Sequence, residues 1–380
     1  MKQHIHIRKW KTPDSQQLRF WVQAAFIALC LWIGVEFTLW YYWHEGSGAV
    51  QVARPPGVEG FLPISALMSL WYLMLDGSIH PVHPAGLFIL IAIIAMSVLL
   101  KKSFCSWLCP VGTLSENIGE FGKKLFGRNF RVWKWLDYPL RSLKYLMLAF
   151  LIYVVFFQMD ALSLRMFLDS PYNRVADVKM FLFFKNISQF SLIVIGVLVA
   201  FSLVIRNFWC RYLCPYGALL GITGLLSPFR ITRNAESCID CSKCAKVCPN
   251  RIAVDRVHTV MSDECTTCMA CVAACPVRET LQLKASRRSR RAVRPAWVAA
   301  AVVGVFVLVT GLAMLTGNWH SIVGEAEYSR RIKDIDNPIY RHNQGSAPQE
   351  NTARQNGRSS RDVDLTRWRE NSGGAGSGVR

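Results

Sequence analysis

Residues 238–249 read CIDCSKCAKVCP, and residues 265–276 read CTTCMACVAACP. Both stretches have the spacing C-x2-C-x2-C-x3-C-P, and sixteen residues lie between Cys248 of the first and Cys265 of the second. Three thiolates at three-residue steps let one loop bind three corners of a [4Fe–4S] cubane, while the fourth, before proline, turns towards a second cluster. The doubled motif therefore predicts a small α+β domain with pseudo-twofold symmetry that holds two such clusters.

Each predicted cluster takes three cysteines from one run and its fourth from the other. The first ligand set is Cys238, Cys241, Cys244 and Cys275, and the second is Cys265, Cys268, Cys271 and Cys248. Zinc is the alternative, since the pairs Cys241/Cys244 and Cys265/Cys268 fit a zinc-ribbon spacing. That pairing leaves four cysteines without a role, so the sequence favours iron–sulfur clusters.

A second cysteine motif, C-x3-C-P, is also doubled. Residues 104–114 read FCSWLCPVGTL, and residues 209–219 read WCRYLCPYGAL. Thiols four residues apart can share a helix face and bind one metal, and the proline suits the first position of a new helix. The repeat predicts a third metal or redox site, either a further cluster or copper, formed by Cys105, Cys109, Cys210 and Cys214. The alternative is four reduced thiols in a packing or partner contact.

The composition indicates a membrane protein. The 380 residues are 52% hydrophobic and only 18% charged, whereas soluble domains are roughly 25% charged. Five apolar windows approach the length of about 20 residues that a spanning helix needs; they are residues 20–43, 85–100, 144–159, 188–205 and 296–315. The apolar stretch 61–75 contains Pro63 and is interpreted as an interfacial or re-entrant segment.

Lys and Arg are concentrated in residues 1–19, 101–144 and 206–295, and are fewer in the two loops between these segments. This alternation predicts that the N-terminus and the cysteine motifs are cytoplasmic and that the C-terminal tail is outside. The net charge of +19 is then mainly a topology signal, so no nucleic-acid partner is expected, and the basic run 287–291 is interpreted as a membrane anchor.

The cytoplasm is a reducing compartment, which favours metal ligands over disulfides as the role of these cysteines. Cys30, in the first window, is interpreted as a small apolar residue.

Several features together resemble the membrane polyferredoxin family of NapH/NosR type, which contains [4Fe–4S] membrane subunits of quinol dehydrogenases. They are the two C-x3-C-P motifs, the two four-cysteine runs and the loop strings RPPGVEGFLPISALM (residues 54–68) and SPYNRVADVKM (residues 170–180). The resemblance covers residues from about 20 to 325 and is closest to small variants without a flavin domain. It implies a protein of the bacterial inner membrane that takes electrons from quinol. A related branch is linked to copper reduction, so a membrane cupric reductase or metal-cofactor assembly factor is the alternative.

Other polar residues are further candidates. Glu36 lies in the first apolar window and could accept a proton released by quinol. His80 and His83 lie in a predicted outer loop, where they could bind quinol, haem or copper. Arg54 and Glu59 belong to the first loop string and could border a quinone pocket. The sequence contains no c-type haem or nucleotide-binding motif.

The predicted fold is mainly α: a polytopic membrane helical bundle of about five spans in two pseudo-repeats, with an inserted two-cluster bacterial-ferredoxin-like α+β domain. The predicted segments are a cytoplasmic stretch 1–19, a four-span membrane domain 20–227, the ferredoxin domain 228–285, a fifth span 296–315 and a disordered tail 324–380. The expected partners are the membrane quinone pool and a redox protein on either side of the membrane.

Overall fold

The computed structural model of the protein describes residues 15–130, 132–277, 279–285 and 292–341. Within these ranges the chain is mostly helical and also contains a two-stranded antiparallel sheet. The predicted anchor 287–291 and residues 1–14 lie outside the described residues.

The first half of the chain folds into a series of helices. Their bounds are α1 Ser15–Glu45, α2 Pro63–Asp76, α3 Pro84–Leu100, α4 Phe104–Trp107, α5 Pro110–Phe126, α6 Lys134–Ile152, α7 Ala161–Leu168, α8 Pro171–Arg174, α9 Ala176–Lys185, α10 Gln189–Val204 and α11 Pro215–Thr223. Helix α6 continues into a π-helical turn, Tyr153–Phe157, and a second π-helical turn, Trp209–Leu213, precedes α11.

The second half contains the small sheet and the last helices. Their bounds are β1 Arg230–Arg233, α12 Lys243–Val247, α13 Ala270–Ala273, β2 Leu281–Lys284, α14 Pro295–Leu315 and α15 Glu325–Lys333. Strand β1 pairs with β2 in the register Arg230 to Lys284 and Arg233 to Leu281. Because β1 precedes both four-cysteine runs and β2 follows them, the pairing closes the cysteine-rich segment into one unit.

Three helical segments are long and apolar enough to cross a membrane. They are α1, the segment Trp135–Phe157 that combines α6 with its π-helical turn, and α14. Helices α9 and α10 pass the same test only together, and they are bent by 82° at the break between them. Helix α3 is apolar but has only 17 residues. The part of the chain that the structure describes therefore has three candidate spans, or four with the bent pair, and the count of five stays a prediction.

Helix α3 lies at the centre of the helical packing. It packs against α2, α11 and α14, and its side chains Leu87, Leu90 and Met96 are buried. Helix α10, by contrast, exposes a row of large apolar side chains that includes Phe190 and Ile193. Exposed apolar surface on this scale is suited to contact with lipid rather than water.

Helices α5 and α10 approach each other closely because α5 carries glycines at the contact. A Cβ atom added to Gly122 would lie 1.9 Å from the backbone oxygen of Leu203. One added to Gly119 would lie 2.8 Å from the Cγ atom of Arg206. Any side chain at Gly122 would therefore push the two backbones apart.

The structure corrects the predicted start of the disordered tail. The expectation of disorder is wrong for residues 324–341, which form α15 and a 3-10 turn at Pro338–Tyr340. Tyr328, Ile332, Ile335 and Tyr340 are buried in a cluster that also contains Trp40 and Val175. The charged composition of this stretch conceals these apolar residues, whose burial outweighs the polar character of the rest. Residues 342–380 of the predicted tail lie outside the described residues.

Helix α1 joins the two ends of the molecule. At its start, Gln16 Nε2 donates a hydrogen bond to the carbonyl oxygen of Cys268, at 3.0 Å. Near its end, Trp40 Nε1 donates to Glu325 Oε2 at 2.8 Å. A helix of 31 residues spans about 46 Å at about 1.5 Å per residue. We call the end near Cys268 the cysteine end and the end near Glu325 the far end.

Candidate functional site

Eight cysteines line two cavities in the small domain. Cys238, Cys241, Cys244 and Cys275, here called group A, line one cavity. Cys248, Cys265, Cys268 and Cys271, here called group B, line a second cavity. Each group takes three cysteines from one run and one from the other, as in the predicted ligand sets. Ligation of a cluster by these groups stays a prediction.

The two cysteine runs share an unusual backbone conformation. Asp240 and Ser242 have φ angles of 49° and 54°, and the corresponding Thr267 and Met269 have φ angles of 50° and 60°. Residues other than glycine rarely adopt positive φ, and such outliers cluster at functional sites. Because the outliers occur at the same positions of both motifs, the two loops curl around their cavities in the same way.

Group B is buried more deeply than group A. Cys265, Cys268 and Cys271 are buried, whereas Cys241 of group A is exposed. Burial raises the pKa of the Cys271 thiol well above its usual range and raises that of Cys248 to about 11. A buried thiol ionises readily only when a cation compensates its charge, so these sulfurs become thiolates when they bind a metal.

The surroundings of both groups fit a cubane cluster. Apolar side chains complete the cavity walls, with Ile252 and Val254 beside group B and Val277 and Leu281 beside group A. Among the described residues, no three His, Cys, Asp or Glu side chains converge closely enough to hold a single metal ion. A cubane has a different requirement, because each of its four thiolates binds a different iron corner. Two sets of four sulfurs in apolar surroundings meet that requirement.

The four cysteines of the two C-x3-C-P motifs form a third group. Cys105 interacts electrostatically with Cys109, Cys210 and Cys214, although Cys109 and Cys210 are 101 positions apart in the chain. We call this set the membrane group. Burial raises the pKa of Cys105 well above its usual range, that of Cys109 to about 11 and that of Cys210 to about 12.

The second cysteine of each C-x3-C-P motif caps a helix. Cys109 precedes α5 and accepts a hydrogen bond at Sγ from the N–H of Gly112, at 3.4 Å. Cys214 precedes α11 and accepts one from the N–H of Gly217, at 3.3 Å. The prediction that proline occupies the first helical position is confirmed in both copies. Helix N-termini favour negative charge, so both helices stabilise thiolate at these sulfurs.

Lys102 is a cation that interacts with the membrane group. The side chain is buried and interacts with Cys105, Cys210 and Cys214. Its Nζ atom lies 3.6 Å from Glu264 Oε2. Burial lowers the pKa of Lys102, but the charges of Glu264 and of the thiols outweigh burial, so that its pKa is raised overall.

The small domain docks onto the helices beside the first C-x3-C-P motif. Ser106 Oγ donates a hydrogen bond to the carbonyl oxygen of Thr266 at 2.7 Å, and Trp107 Nε1 donates to that of Thr267 at 3.2 Å. Lys101 Nζ donates to the carbonyl oxygen of Val260 at 3.0 Å. Thr266 and Thr267 lie between two cysteines of group B. Direct hydrogen bonds therefore join the loop that carries group B to the segment that carries Cys105 and Cys109.

At the far end, Arg54, Glu59 and His83 meet in one buried network. Arg54 Nε donates to Asp177 Oδ2 at 2.7 Å, and Arg54 Nη1 donates to Glu59 Oε1 at 3.0 Å. His83 Nδ1 lies 3.4 Å from Glu59 Oε1. The guanidinium carbon of Arg54 lies 5.3 Å from the centre of the Tyr328 ring. Arg54 thus forms ion pairs with Glu59 and Asp177, and a role of Arg54 and Glu59 beside a quinone pocket stays a prediction.

The remaining candidate residues lie apart from the cysteine groups. His80 Nε2 lies 3.6 Å from Asp169 Oδ1, so His80 and His83 each face a different carboxylate. Glu36 is half-buried on α1, nine residues before its end. None of these contacts tests a role in quinol, haem or copper binding.

The sequence did not reveal Lys102, Glu264, Asp177 or Tyr328 as members of polar networks. Each pairs with residues distant in the chain, and single-sequence patterns carry no signal for such pairs. One local signal existed: Lys102 and Glu264 lie within three residues of Cys105 and Cys265, respectively. Charged residues so close to metal-ligating cysteines are candidates for electrostatic tuning.

Comparisons with known protein families place iron–sulfur domains on these segments. The family described as "4Fe-4S binding domain" matches residues 82–129 and again residues 187–234. Each match contains one C-x3-C-P motif. The family described as "4Fe-4S dicluster domain" matches residues 231–283, which include both four-cysteine runs. No solved structure matches the chain significantly.

Several curated proteins resemble the chain. YccM of Escherichia coli strain K12, whose name assigns it provisionally to electron transport, is 49% identical over 82% of this chain and 88% of its own length. The ferredoxin-type protein NapH of Haemophilus influenzae is 28% identical over 63% of this chain and 78% of its own length. The regulatory protein NosR of Pseudomonas aeruginosa is 33% identical over 43% of this chain but only 22% of its own length.

The family domains, the membrane helices and the match to YccM all indicate the same kind of protein, a membrane iron–sulfur protein. The identity of 49% covers most of both chains, and the matched family domains are those of iron–sulfur proteins. The chain is therefore an iron–sulfur electron-transport protein, and it belongs to the membrane polyferredoxin family that includes YccM, NapH and NosR.

Proposed function

We propose that this chain relays electrons between the membrane quinol pool and a partner redox protein. The observation that carries the proposal is the arrangement of twelve cysteines in three groups of four at the cysteine end. Groups A and B would each hold one [4Fe–4S] cluster. The thiolates and the apolar cavity walls would set the reduction potentials, since cluster potentials depend on charge, hydrogen bonds and solvent exposure.

The stoichiometry of the proposed relay follows from the chemistry of the two partners. Oxidation of one quinol to quinone releases two electrons and two protons, and a [4Fe–4S] cluster when bound accepts one electron. One quinol therefore supplies one electron to each of the two clusters that groups A and B would hold. Both protons leave to solvent or to a protein base. The partner protein then removes the two electrons singly.

The contacts support an order for electron passage within the chain. The membrane group adjoins group B through Ser106 and Trp107, and group A contains the exposed Cys241. We place the entry near the membrane group, the intermediate stop at group B and the exit at group A. The partner protein would then dock beside Cys241.

The membrane group is proposed as a third metal site. Four thiols and the Lys102 ammonium interact electrostatically there, beside two helix N-termini, and a 4Fe-4S family matches both contributing segments. A third cluster is the first candidate and copper, a metal that soft thiolates bind, is the second. If copper binds, the chain would act as a membrane cupric reductase or metal-cofactor assembly factor.

We further propose that the protein is a multi-pass protein of the bacterial inner membrane with the cysteine end in the cytoplasm. The abundance of Lys and Arg in residues 101–144 and 206–295 supports this orientation. The five spans and their two pseudo-repeats, each ending in a C-x3-C-P motif, also remain part of the proposal. The double family match to residues 82–129 and 187–234 supports the repeat.

The test is anaerobic purification of the full chain in detergent, followed by metal analysis and rapid mixing with a quinol analogue. We expect about eight irons per chain for two clusters and about twelve if the membrane group holds a third. EPR spectra of samples frozen after mixing with the quinol analogue should show reduced clusters. A colourless preparation that contains zinc, or clusters that quinol does not reduce, contradicts the proposal.

Two variants separate the membrane group from the other two. In the double variant Cys105→Ser/Cys109→Ser, we expect the metal of the membrane group to be lost while groups A and B keep theirs. Cys30→Ser is the matched control, because Cys30 lies on α1 and interacts with Cys109 but belongs to neither C-x3-C-P motif; it should leave the metal in place. Loss of Cu(I) binding in the double variant, with quinol-linked reduction intact, would instead favour the copper function.

A further inference from the structure

Lys102 lies between the membrane group and group B. Its Nζ atom is 3.6 Å from Glu264 Oε2, and Glu264 immediately precedes Cys265 of group B. On its other side the ammonium interacts with Cys105, Cys210 and Cys214. A Cβ atom added to Gly217 would lie 3.4 Å from Nζ. This buried cation therefore interacts with the membrane group directly and reaches group B through the carboxylate beside Cys265, whereas Lys101 is the cation that interacts with Cys265 itself.

The carboxylates near Lys102 have other cationic partners. Lys144 forms a direct ion pair with Glu264. Arg141 lies 3.5 Å from Glu264 and 3.7 Å from Asp263. Lys101 interacts with Asp263 as well, so the cations of this network outnumber its two carboxylates. Since Glu264 keeps Lys144 and Arg141 as partners, the charge of Lys102 is not needed to balance Glu264 alone.

We propose that Lys102 is a positioning residue whose charge is shared by the membrane group and group B, and that it makes both centres easier to reduce. The inference rests on the proposed function, because it assumes that both groups hold redox-active metal. Reduction adds a negative charge to a centre, and a cation in buried surroundings stabilises that charge more strongly than it would in water. Shared stabilisation would shift both potentials in the same direction, so the difference between the two centres would change little.

The experiment compares Lys102→Met with Lys102→Arg in the purified, metal-loaded full chain. EPR-monitored redox titration would give the reduction potentials of the clusters in groups A and B. We expect Lys102→Met to lower the potential of group B and to leave that of group A unchanged. Lys102→Arg, which keeps the charge, should restore the wild-type value. An unchanged group B potential in Lys102→Met overturns the inference.

The second readout is metal retention by the membrane group. Loss of a residue that supports metal ligands commonly weakens binding by about 10-fold or more. We therefore expect Lys102→Met to lose metal from the membrane group to a chelator on the order of 10-fold faster than wild type. Lys101→Met is the matched control: Lys101 is also buried and interacts with Cys265. Its loss should lower the group B potential without affecting the membrane group. Equal metal loss in both variants indicates general disruption and contradicts a specific role.

A third variant tests the sign of the effect. Glu264→Gln removes a negative charge beside Cys265 and should raise the group B potential, opposite to Lys102→Met. A lower group B potential in both Glu264→Gln and Lys102→Met would point to structural damage and would overturn the electrostatic role. Wild-type protein without any EPR-active cluster refutes the proposed function itself. Wild-type protein with metal only in groups A and B refutes the shared role of Lys102 and leaves the relay through those two clusters standing.

Discussion

Gly112 allows the first C-x3-C-P turn to close tightly. A Cβ atom at this position would lie 2.2 Å from the carbonyl oxygen of Cys105, while the glycine N–H bonds to Cys109 Sγ. Both cysteines of the motif therefore depend on the absence of a side chain at one residue. The second copy is less crowded, since a Cβ atom on Gly217 would lie 3.2 Å from the carbonyl oxygen of Cys210.

We predict that Gly112→Ala strongly reduces the metal content of the membrane group, because the methyl group displaces Cys105 from Cys109. Gly217→Ala should reduce it less, and Gly34→Ala, where a Cβ atom meets no neighbour within 4 Å, should leave it unchanged. Metal analysis of the three purified variants is the measurement. Equal metal content in Gly112→Ala and wild type would show that the turn does not position these sulfurs for metal.

His83 is a second residue whose surroundings have a measurable consequence. Its Nε2 atom lies 2.7 Å from the carbonyl oxygen of Asn173, and its Nδ1 atom faces Glu59. Burial lowers the pKa of His83 and so does Arg54, but Glu59 and Asp177 raise it above its ordinary value. The folded protein therefore binds a proton at His83 more tightly than the unfolded chain does.

We predict that the stability due to His83 is fully present below about pH 6.5, the ordinary histidine pKa, and is lost as the pH rises through the raised pKa of the folded state. The slope should be at most about 1.4 kcal/mol per pH unit, the value for one proton. Thermal unfolding in detergent across this pH range measures it. His83→Gln should lack this part of the slope, whereas exposed His320→Gln should retain it. Identical slopes in wild type and His83→Gln would rule out the assignment.

At the scale of elements, the contact between α5 and α10 depends on Gly122. Alanine would place its Cβ atom 1.9 Å from the Leu203 carbonyl oxygen. This is a severe steric overlap, so the helices must separate. We predict that Gly122→Ala lowers the free energy of unfolding by about 1–3 kcal/mol, the usual cost of overpacking. Denaturant titration of the detergent-solubilised protein measures this change.

Gly196→Ala on α10 is the control, because a Cβ atom there meets nothing within 4 Å. Alanine favours the helix over glycine by up to about 1 kcal/mol, so this variant should be unchanged or slightly more stable. If the two variants had equal stability, close packing of α5 on α10 would not contribute to the fold.

The sequence predicted elements best where the signal is local. The windows 20–43 and 296–315 fall within α1 and α14, since uninterrupted apolar runs determine such helices. The stretch 188–205 was predicted less well as a span. The break before α10 turns the chain by 82°, and a hydropathy pattern does not predict bends between helices. Helix α15 was missed, since its buried Tyr328 and Ile332 stand among charged residues. Amphipathic spacing, rather than composition, was the signal available there.

At the scale of the whole molecule, the two ends of α1 carry different chemistry. The cysteine groups lie at one end, and the Arg54 network with α15 lies at the other. The sequence could group the cysteines, because their spacing reflects the geometry of a cluster. It could not pair Lys102 with Glu264 or Arg54 with Asp177, because these contacts arise only when distant segments pack together.

We predict that the two ends lie on opposite sides of the membrane. Ala285 follows β2 at the cysteine end, Ala326 lies in α15 at the far end, and both are exposed. In intact spheroplasts, a membrane-impermeant maleimide should label Ala326→Cys but not Ala285→Cys. After lysis it should label both, which serves as the control for reactivity. Labelling of Ala285→Cys in intact spheroplasts would reverse the proposed orientation.

Cys241 is the exposed member of the three cysteine groups, and this has a practical consequence for handling the protein. Dissolved oxygen that attacks a bound cluster would reach group A first, at the corner held by Cys241. A sample prepared in air would then keep most of its iron and its brown colour, although the cluster of group A, which would pass electrons to the partner, had already been damaged. Loss of activity would precede bleaching, so absorbance alone would overstate how much working protein remains.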